Sequence, residues 1–383
     1  EFSTSFRSNA VKSGQYIIAS HNDYVCFKLC ESESDYSDDG WIPLNFKKAL
    51  NTTTAKHAAM ATGAFPVGLK ARKISRSIKY MNELDWFKHI TIDAKNPFDK
   101  EPYETINVDG GMINNEPFDK IRELLLGKAT PKKLKEMQDY NTFDSTILMI
   151  DPFPSQSANF DNSTKLTTIV GNTLGAMIGQ ARVKSSVLID TMDSEKAGQY
   201  LIAPVRSDYR DGIKTKIEGK KAIACGALDG FGGFISKEFR IHDYFLGRAN
   251  CEKFLRDHFT VPANSTNEIF TNGYSGIADK TPYSSKTDGG LQIIPIFTEM
   301  QPKAYMPQFA NKEKWPSVSA ADIYAYRKLI KARTGKVLIN MAKYSKTQRA
   351  LLWIAAKMIL NGKIADAVID TVIESLEAHQ LIK

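Results

Sequence analysis

A short strand-like segment followed by two glycines is the feature that most constrains how this chain can fold. Residues 105–108, TINV, run directly into Asp109, Gly110 and Gly111. A strand followed by Asp-Gly-Gly predicts a buried strand that ends in a tight turn. Adjacent glycines allow positive φ angles and let another backbone or a ligand approach closely. We therefore expect Asp109 at the exit of a strand, where open α/β sheets bind their ligands.

The same motif has a purely structural interpretation. The side chain of a turn Asp commonly accepts hydrogen bonds from backbone amides a residue or two further along the chain. The residue types alone leave both roles of Asp109 open.

Three sequence blocks, in this order, resemble the patatin-like phospholipases. They are residues 61–66 (ATGAFP), residues 109–117 (DGG followed by Asn-Asn-x-Pro) and residues 231–251. The resemblance covers roughly residues 15–259. It implies a lipid acyl hydrolase that acts on a lipid or acyl-ester substrate through a Ser-Asp dyad. It assigns Asp109 as the dyad base and Gly110 and Gly111 as the active-site turn. It also implies a layered α/β fold with a largely parallel central sheet flanked by helices.

The nucleophile of such a dyad has no candidate in the chain. Patatin-like enzymes carry a glycine-rich oxyanion loop and a Gly-x-Ser-x-Gly elbow before the DGG motif. The nearest segment, residues 273–276 (GYSG), lacks the second glycine at the required spacing and follows Asp109. We therefore expect a segment before residue 1 to supply the Ser. The alternative is a non-catalytic patatin-like scaffold that binds lipid or a protein partner.

The order of predicted elements indicates an α/β protein followed by a helical region. Strand-like and helical segments alternate up to residue 302, which favours a sheet covered by helices. Residues 303–383 predict three helices, the last with apolar residues at i, i+3 and i+4 spacing. We predict domains at 1–302 and 303–383. The predicted strands are 15–29 (two strands), 145–150, 200–205, 221–227 and 291–297. The predicted helices are 52–60, 117–127, 167–187, a helix that starts near 236, 320–334, 345–362 and 365–376.

Charge is concentrated in the C-terminal region. Residues 303–383 contain 14 Lys and Arg against 6 Asp and Glu, an excess that equals the net charge of the whole chain, +8. These helices therefore predict either peripheral contact with an anionic membrane or a solvated basic surface. No module that reads RNA or DNA accompanies them, so no nucleic acid is expected.

Cysteine usage indicates a reducing compartment. Four cysteines in 383 residues do not form a disulfide framework, which favours the cytoplasm, with contact to a membrane only at its surface. His21, Cys26 and Cys30 lack a second ligand pair at zinc-site spacing, so we expect no metal and no cofactor.

A second glycine-rich stretch lies at residues 226–233, GALDGFGG, before a predicted helix. Such loops can bind phosphate through their amides, although no Gly-Lys-Ser/Thr sequence closes this one. We expect Phe231 and Phe234 to pack against the protein rather than form a lipid-facing lip. Arg240 and Asp243, with His242, predict a structural ion-pair network.

Overall fold

The computed structural model describes residues 4–11, 14–20, 24–32, 41–64, 69–82, 101–112, 121, 125, 131–153, 169, 197–210, 213–296, 305–340 and 361–383. The contacts divide the chain into two compact units. Unit 1 comprises Glu1–Lys120 and Asn159–Leu188, and unit 2 comprises Ile121–Ala158 and Ile189–Lys383. The predicted boundary at residue 302 falls inside unit 2.

Unit 1 contains strands that pair in twos. Strands β1 and β2 are antiparallel, β3 and β4 are parallel, and β5 and β6 are antiparallel. Helix α1 packs on β5. The elements in chain order are β1 (Thr4–Val11), β2 (Gly14–Ser20), β3 (Phe27–Leu29), β4 (Ile42–Leu44), α1 (Thr52–Ala61), β5 (Arg72–Arg76), α2 (Ile78–Asn82) and β6 (Tyr103–Asn107).

Unit 2 contains the longest helix of the part of the chain described, α4. Its elements are α3 (Pro131–Met137), β7 (Ile147–Ile150), β8 (Gln199–Ile202), β9 (Val205–Arg210), β10 (Ile213–Glu218), two 3-10 segments (Gly219–Ala222 and Ala224–Phe234), α4 (Lys237–Asp257), β11 (Thr260–Val261), α5 (Glu268–Gly273), β12 (Leu291–Gln292), α6 (Ala320–Ala325), α7 (Arg327–Asn340) and α8 (Asn361–Ala378). Strands β7 and β8 are parallel, and the pairs β9–β10 and β11–β12 are antiparallel.

The C-terminal helices share a core with the segment before α4. Ala224 and Ala227 from that segment and Phe239 from α4 are buried together with side chains of α6 and α8. Trp315 and Val318 pack against the same cluster. The apolar stripe of α8 supplies Ala365, Ile369 and Leu376, all fully buried, whereas Val368 is 40% exposed. The C-terminal helices are therefore held by apolar packing onto α4 and the segment that precedes it.

Several predicted elements are confirmed and others are wrong. The helix predicted at 52–60 is α1, and the helix predicted from 236 is α4, whose cap Ser236 accepts a hydrogen bond from the Glu238 amide. The strand predicted at 221–227 is wrong, because these residues form 3-10 turns. Helix α7 continues through Gly335, and Gly362 lies inside α8, so both predicted stops are wrong.

Other predicted elements are only partly represented. The predicted strand at 291–297 is limited to Leu291–Gln292, and that at 145–150 begins at Ile147. Most residues of the helices predicted at 117–127, 167–187 and 345–362 lie outside the residues described. Residues 121, 125, 169, 361 and 362 are described, and they are helical. The described architecture is mixed α/β. None of its helices has both the length and the apolar composition that a membrane crossing requires.

Candidate functional site

The segment that follows helix α1 forms one side of the candidate site. The helix is rich in alanine, and its last turn is followed by Thr62, Gly63 and Ala64. The Ala64 amide donates to the Ala61 carbonyl at 3.0 Å, which turns the chain out of the helix. Ala64 is buried, and its carbonyl points toward the DGG segment, as its hydrogen bond there shows. Phe65 and Pro66 of the same sequence block lie outside the residues described.

Strand β6 carries the DGG turn. It pairs antiparallel with β5, and its Thr105 and Asn107 face inward, joined by a hydrogen bond of 2.8 Å from Asn107 Nδ2 to Thr105 Oγ1. Asp109 follows two residues after the strand ends. The strand exit is confirmed for Asp109. Because this pair is antiparallel, however, the rule that places ligands at the carboxyl edge of parallel strands does not itself account for the position of Asp109.

One hydrogen bond joins two of the three sequence blocks. The Asp109 amide donates to the Ala64 carbonyl at 3.1 Å, so the ATGAFP and DGG segments meet at this point. The Asp109 side chain is half-buried, and its Oδ1 accepts from the Gly111 amide at 2.8 Å. Oδ2 accepts no hydrogen bond from any residue that the structure describes. The turn role of Asp109 is therefore present.

The glycines on either side of this contact face open space. A Cβ added to Gly63 or to Gly110 would meet no atom of a described residue within 4 Å. Gly110 lies at the start of a single 3-10 turn, Gly110–Met112, and does not adopt a positive φ angle. Gly110 therefore does not use the positive φ angle that a glycine allows. Its lack of a side chain leaves the backbone beside Asp109 uncovered.

Asp151 repeats the same local geometry at another strand. It follows directly after β7, its Oδ1 accepts from the Phe153 amide at 3.0 Å, and its own amide donates to the Ile202 carbonyl at 2.9 Å. Asp151 differs in being buried and in being followed by Pro152 rather than by two glycines. It provides an internal comparison for a strand-exit Asp whose role is the turn.

The GYSG segment does not form a nucleophile elbow. Ser275 lies in the turn after α5, in unit 2, and its Oγ donates to the Asn272 carbonyl at 2.7 Å. An elbow requires a strand before the Ser and a helix after it. Ser275 follows a helix instead, so the sequence interpretation of this segment is confirmed.

A second polar cluster connects α4 to the glycine-rich stretch. The Asp243 carboxylate accepts from the Ala224 amide at 2.7 Å and from the Cys225 amide at 2.8 Å, and it lies 2.7 Å from Nδ1 of the buried His242. Arg240 donates to the Gly233 carbonyl. Burial, followed by the neighbouring Asp243, raises the pKa of the Cys225 thiol to about 12. Of the predicted ion-pair network, the structure shows the His242–Asp243 contact, whereas Arg240 bonds to a backbone carbonyl rather than to Asp243.

Two amides of the glycine-rich stretch are bonded within the protein. The Gly226 amide donates to the Ile223 carbonyl at 3.2 Å, and the Leu228 amide donates to Ser375 Oγ at 2.9 Å. These two amides are therefore not available to an anion. The expectation that Phe231 and Phe234 pack against the protein is wrong, because their side chains are 54% and 83% exposed.

Among the described residues, no group of three or more His, Cys, Asp or Glu side chains is arranged to hold a metal ion. Cys26 and Cys30 flank β3 and form no disulfide, and His21 lies outside the residues described.

The chain is similar to an uncharacterized protein of Sinorhizobium fredii, y4iI, to which it is 28% identical over 277 residues. The match covers 67% of this chain and 38% of the relative, so the chain spans about two fifths of that protein's length. No family model matches the chain, and no solved structure matches it at a significant level.

Proposed function

We propose that this chain is the later part of a patatin-like lipid acyl hydrolase, with Asp109 as the general base of a Ser-Asp dyad. The observation that carries the proposal is the hydrogen bond from the Asp109 amide to the Ala64 carbonyl. It brings together two sequence blocks that the resemblance places at one site, although 42 residues (67–108) separate them in the chain.

The chemistry required of Asp109 fits its surroundings. In the proposed step, Oδ2 accepts the proton of a Ser hydroxyl while the Ser oxygen attacks the ester carbonyl of the substrate. The Gly111 amide bonded to Oδ1 holds the carboxylate in one orientation. The open space at Gly63 and Gly110 leaves room for a hydroxyl and an acyl group. The Ser belongs, in this proposal, to a segment before residue 1.

The finer features of the fold belong to the same proposal. A largely parallel sheet is part of the same proposal, and the parallel pairs β3–β4 in unit 1 and β7–β8 in unit 2 support it. The four free cysteines support a reducing compartment such as the cytoplasm. The 38% coverage of the Sinorhizobium relative is compatible with a longer protein that supplies the nucleophile.

A non-catalytic scaffold is the second candidate. The bond between Asp109 Oδ1 and the Gly111 amide favours it, because the carboxylate already has a structural task in the turn. A scaffold needs Asp109 only for that turn, whereas an enzyme also needs Oδ2.

The test compares two substitutions that preserve the turn acceptor. In the longer protein, Asp109→Asn keeps the oxygen that accepts from Gly111 but cannot accept a proton as a carboxylate does. We expect kcat for a medium-chain acyl ester to fall by about 10²–10⁴, the usual contribution of a general base. The control is Asp151→Asn, which makes the same change at a similar strand exit and should leave kcat unchanged. Equal, measurable activity of the wild type and Asp109→Asn would remove Asp109 from the dyad, and a wild type without activity would support the scaffold.

Gly110→Ala gives a second readout. A methyl group at this position meets open space and an ordinary φ angle, so we expect the free energy of unfolding to change by less than about 1 kcal/mol. If substrate approaches the uncovered backbone, the same variant loses activity. Full activity in a folded Gly110→Ala protein would place the substrate elsewhere.

A further inference from the structure

The acidic and basic side chains of α4 differ in how exposed they are. The exposed charged side chains are those of Lys237, Arg240, Arg248 and Lys253. The carboxylates of the helix, in contrast, are buried or half-buried, and all are bonded. Glu238 accepts from the Ala310 amide, Asp243 accepts from the Ala224 and Cys225 amides, and Glu252 and Asp257 pair with Arg256. The solvent side of a 21-residue helix therefore carries positive charge without exposed carboxylates.

The exposed cations lie mostly on one stripe. Lys237, Arg240, Tyr244 and Arg248 are spaced i, i+3, i+7 and i+11, which places them on one side of an α-helix. Lys253 lies about 140° around the helix axis from Arg248, at 100° per residue, and so falls outside the stripe. The opposite side packs inward through Phe239, His242 and Leu246, as in other amphipathic surface helices.

Exposed aromatic rings extend this stripe beyond the helix start. Phe231 and Phe234 stack on each other with ring centroids 6.1 Å apart and an interplanar angle of 26°. Arg240 donates to the carbonyl of Gly233, the neighbour of Phe234, so the rings adjoin the first basic turns of α4.

Further along the helix, aromatic and basic groups are again adjacent. The ring centroid of Phe245 lies 5.3 Å from those of Tyr244 and of the exposed Tyr305. The Cζ atom of the Arg248 guanidinium lies 6.0 Å from the centroid of the Phe245 ring.

We propose that this aromatic–basic face, formed by Phe231, Phe234, Lys237, Arg240, Tyr244 and Arg248, docks on an anionic phospholipid bilayer. The transfer of a phenylalanine ring from water into the boundary between head groups and acyl chains is favourable in free energy, and tyrosine side chains are stable at the same depth. Lysine and arginine beside them reach lipid phosphates while their methylene stems stay at the apolar boundary. This aromatic–basic face carries both the aromatic rings and the basic side chains that such docking requires.

Charge complementarity distinguishes this occupant from a second copy of the chain. Two identical basic faces would repel each other, whereas an anionic bilayer attracts all of the cations at once. Nucleic acid would also attract the cations. The two phenylalanines, however, stack on each other at the protein surface, and a flat lipid boundary can bury both rings together. Membrane docking through α4 is independent of hydrolysis and differs in location from the basic C-terminal helices.

The experiment measures co-sedimentation of the chain with vesicles of phosphatidylcholine alone and of phosphatidylcholine with phosphatidylserine. We expect binding only to the anionic vesicles, weakened by added salt as screening predicts. The double variant Phe231→Ser, Phe234→Ser should lower the partition coefficient about tenfold. The double variant Lys237→Gln, Arg248→Gln should lower it about thirtyfold.

Matched controls remove the same groups elsewhere. Lys253→Gln with Lys328→Gln removes two exposed positive charges, one off the stripe and one on α7, and should leave the partition coefficient within about twofold of the wild type. Phe46→Ser, at a phenylalanine of unit 1 that is 70% exposed, should do the same.

Several outcomes would overturn docking through this face. They are no binding of the wild type to anionic vesicles, an equal loss in the face and control variants, or binding of a single-stranded oligonucleotide without vesicle binding. Vesicle binding by this chain, together with no ester hydrolysis by the longer protein, would leave the docking face in place and count only against the proposed enzyme.

Discussion

Asp243 is expected to be one of the most sensitive polar positions for stability. Its carboxylate accepts from two amides of the segment that precedes α4 and contacts the buried His242. Asp243→Ala leaves both amides without their acceptor, and a buried amide left unpaired costs about 1–3 kcal/mol. We therefore expect Asp243→Ala to lower the free energy of unfolding by about 2–5 kcal/mol. For a protein with an ordinary stability of about 5–15 kcal/mol, this loss is large.

Asp243→Asn provides a graded version of the same perturbation. The amide side chain retains one accepting oxygen but turns an NH2 group toward a second donor, so we expect a loss of about 2–3 kcal/mol. The Cys225 thiol also loses a neighbouring negative charge that raises its pKa, so that pKa should fall below about 12.

Urea unfolding measures the first effect through the midpoint at a constant m-value, and the pH dependence of thiol alkylation measures the second. Lys253→Ala, an exposed change on the same helix, is the control and should stay within about 0.5 kcal/mol of the wild type. If Asp243→Ala were also within about 1 kcal/mol of the wild type, the carboxylate would not hold this segment.

Three further predictions concern other parts of unit 2. Ile369→Ala empties a fully buried position on α8 and should cost about 2–5 kcal/mol in unfolding experiments, whereas Val368→Ala, at its half-exposed neighbour, should cost less than about 1 kcal/mol; similar losses would contradict the core described. Burial opposes ionisation of Asp288, but hydrogen bonds from the Gly290 amide and from nearby hydroxyls outweigh it and hold its pKa below the usual range. A depressed folded-state pKa adds stability above the unfolded-state pKa, so the stability advantage of the wild type over Asp288→Asn should persist at pH 7 and disappear as the pH falls below about 4. An advantage unchanged at pH 3 would contradict this. Iodoacetamide should modify the exposed Cys251 before Cys225 at pH 8, as peptide mass spectrometry can show, and the reverse order would contradict the burial of Cys225.

Local signals in the sequence were sufficient for elements with clear caps and periodicity. Ser236 before α4 and the small residues of α1 predicted both helices near their observed ends. The stops predicted at Gly335 and Gly362 were wrong because a helix held by tertiary packing can tolerate an internal glycine, at a cost of about 1 kcal/mol. In the same way, residues 221–227 have a strand-like composition. They form 3-10 turns, and Asp243, about 20 residues further along the chain, binds two of their amides.

The candidate site was predictable in part. The strand exit at Asp109 follows from local residue types, and the proximity of the ATGAFP block was expected only through the family resemblance. The bond from the Asp109 amide to Ala64 is a long-range contact that no local pattern specifies. The ordinary φ angle of Gly110 and the exposure of Phe231 and Phe234 likewise depend on what surrounds them, which composition does not describe.

Serine labelling tests the proposed role of Asp109 most directly. In the longer protein, a fluorophosphonate should label a Ser that lies before residue 1, and Asp109→Asn should slow labelling by about 10²-fold or more, because the dyad base activates that Ser. Asp151→Asn should label at the wild-type rate, and the isolated chain should remain unlabelled. Labelling that is as fast in Asp109→Asn as in the wild type, or that occurs at a Ser within these 383 residues, would contradict the assignment of Asp109.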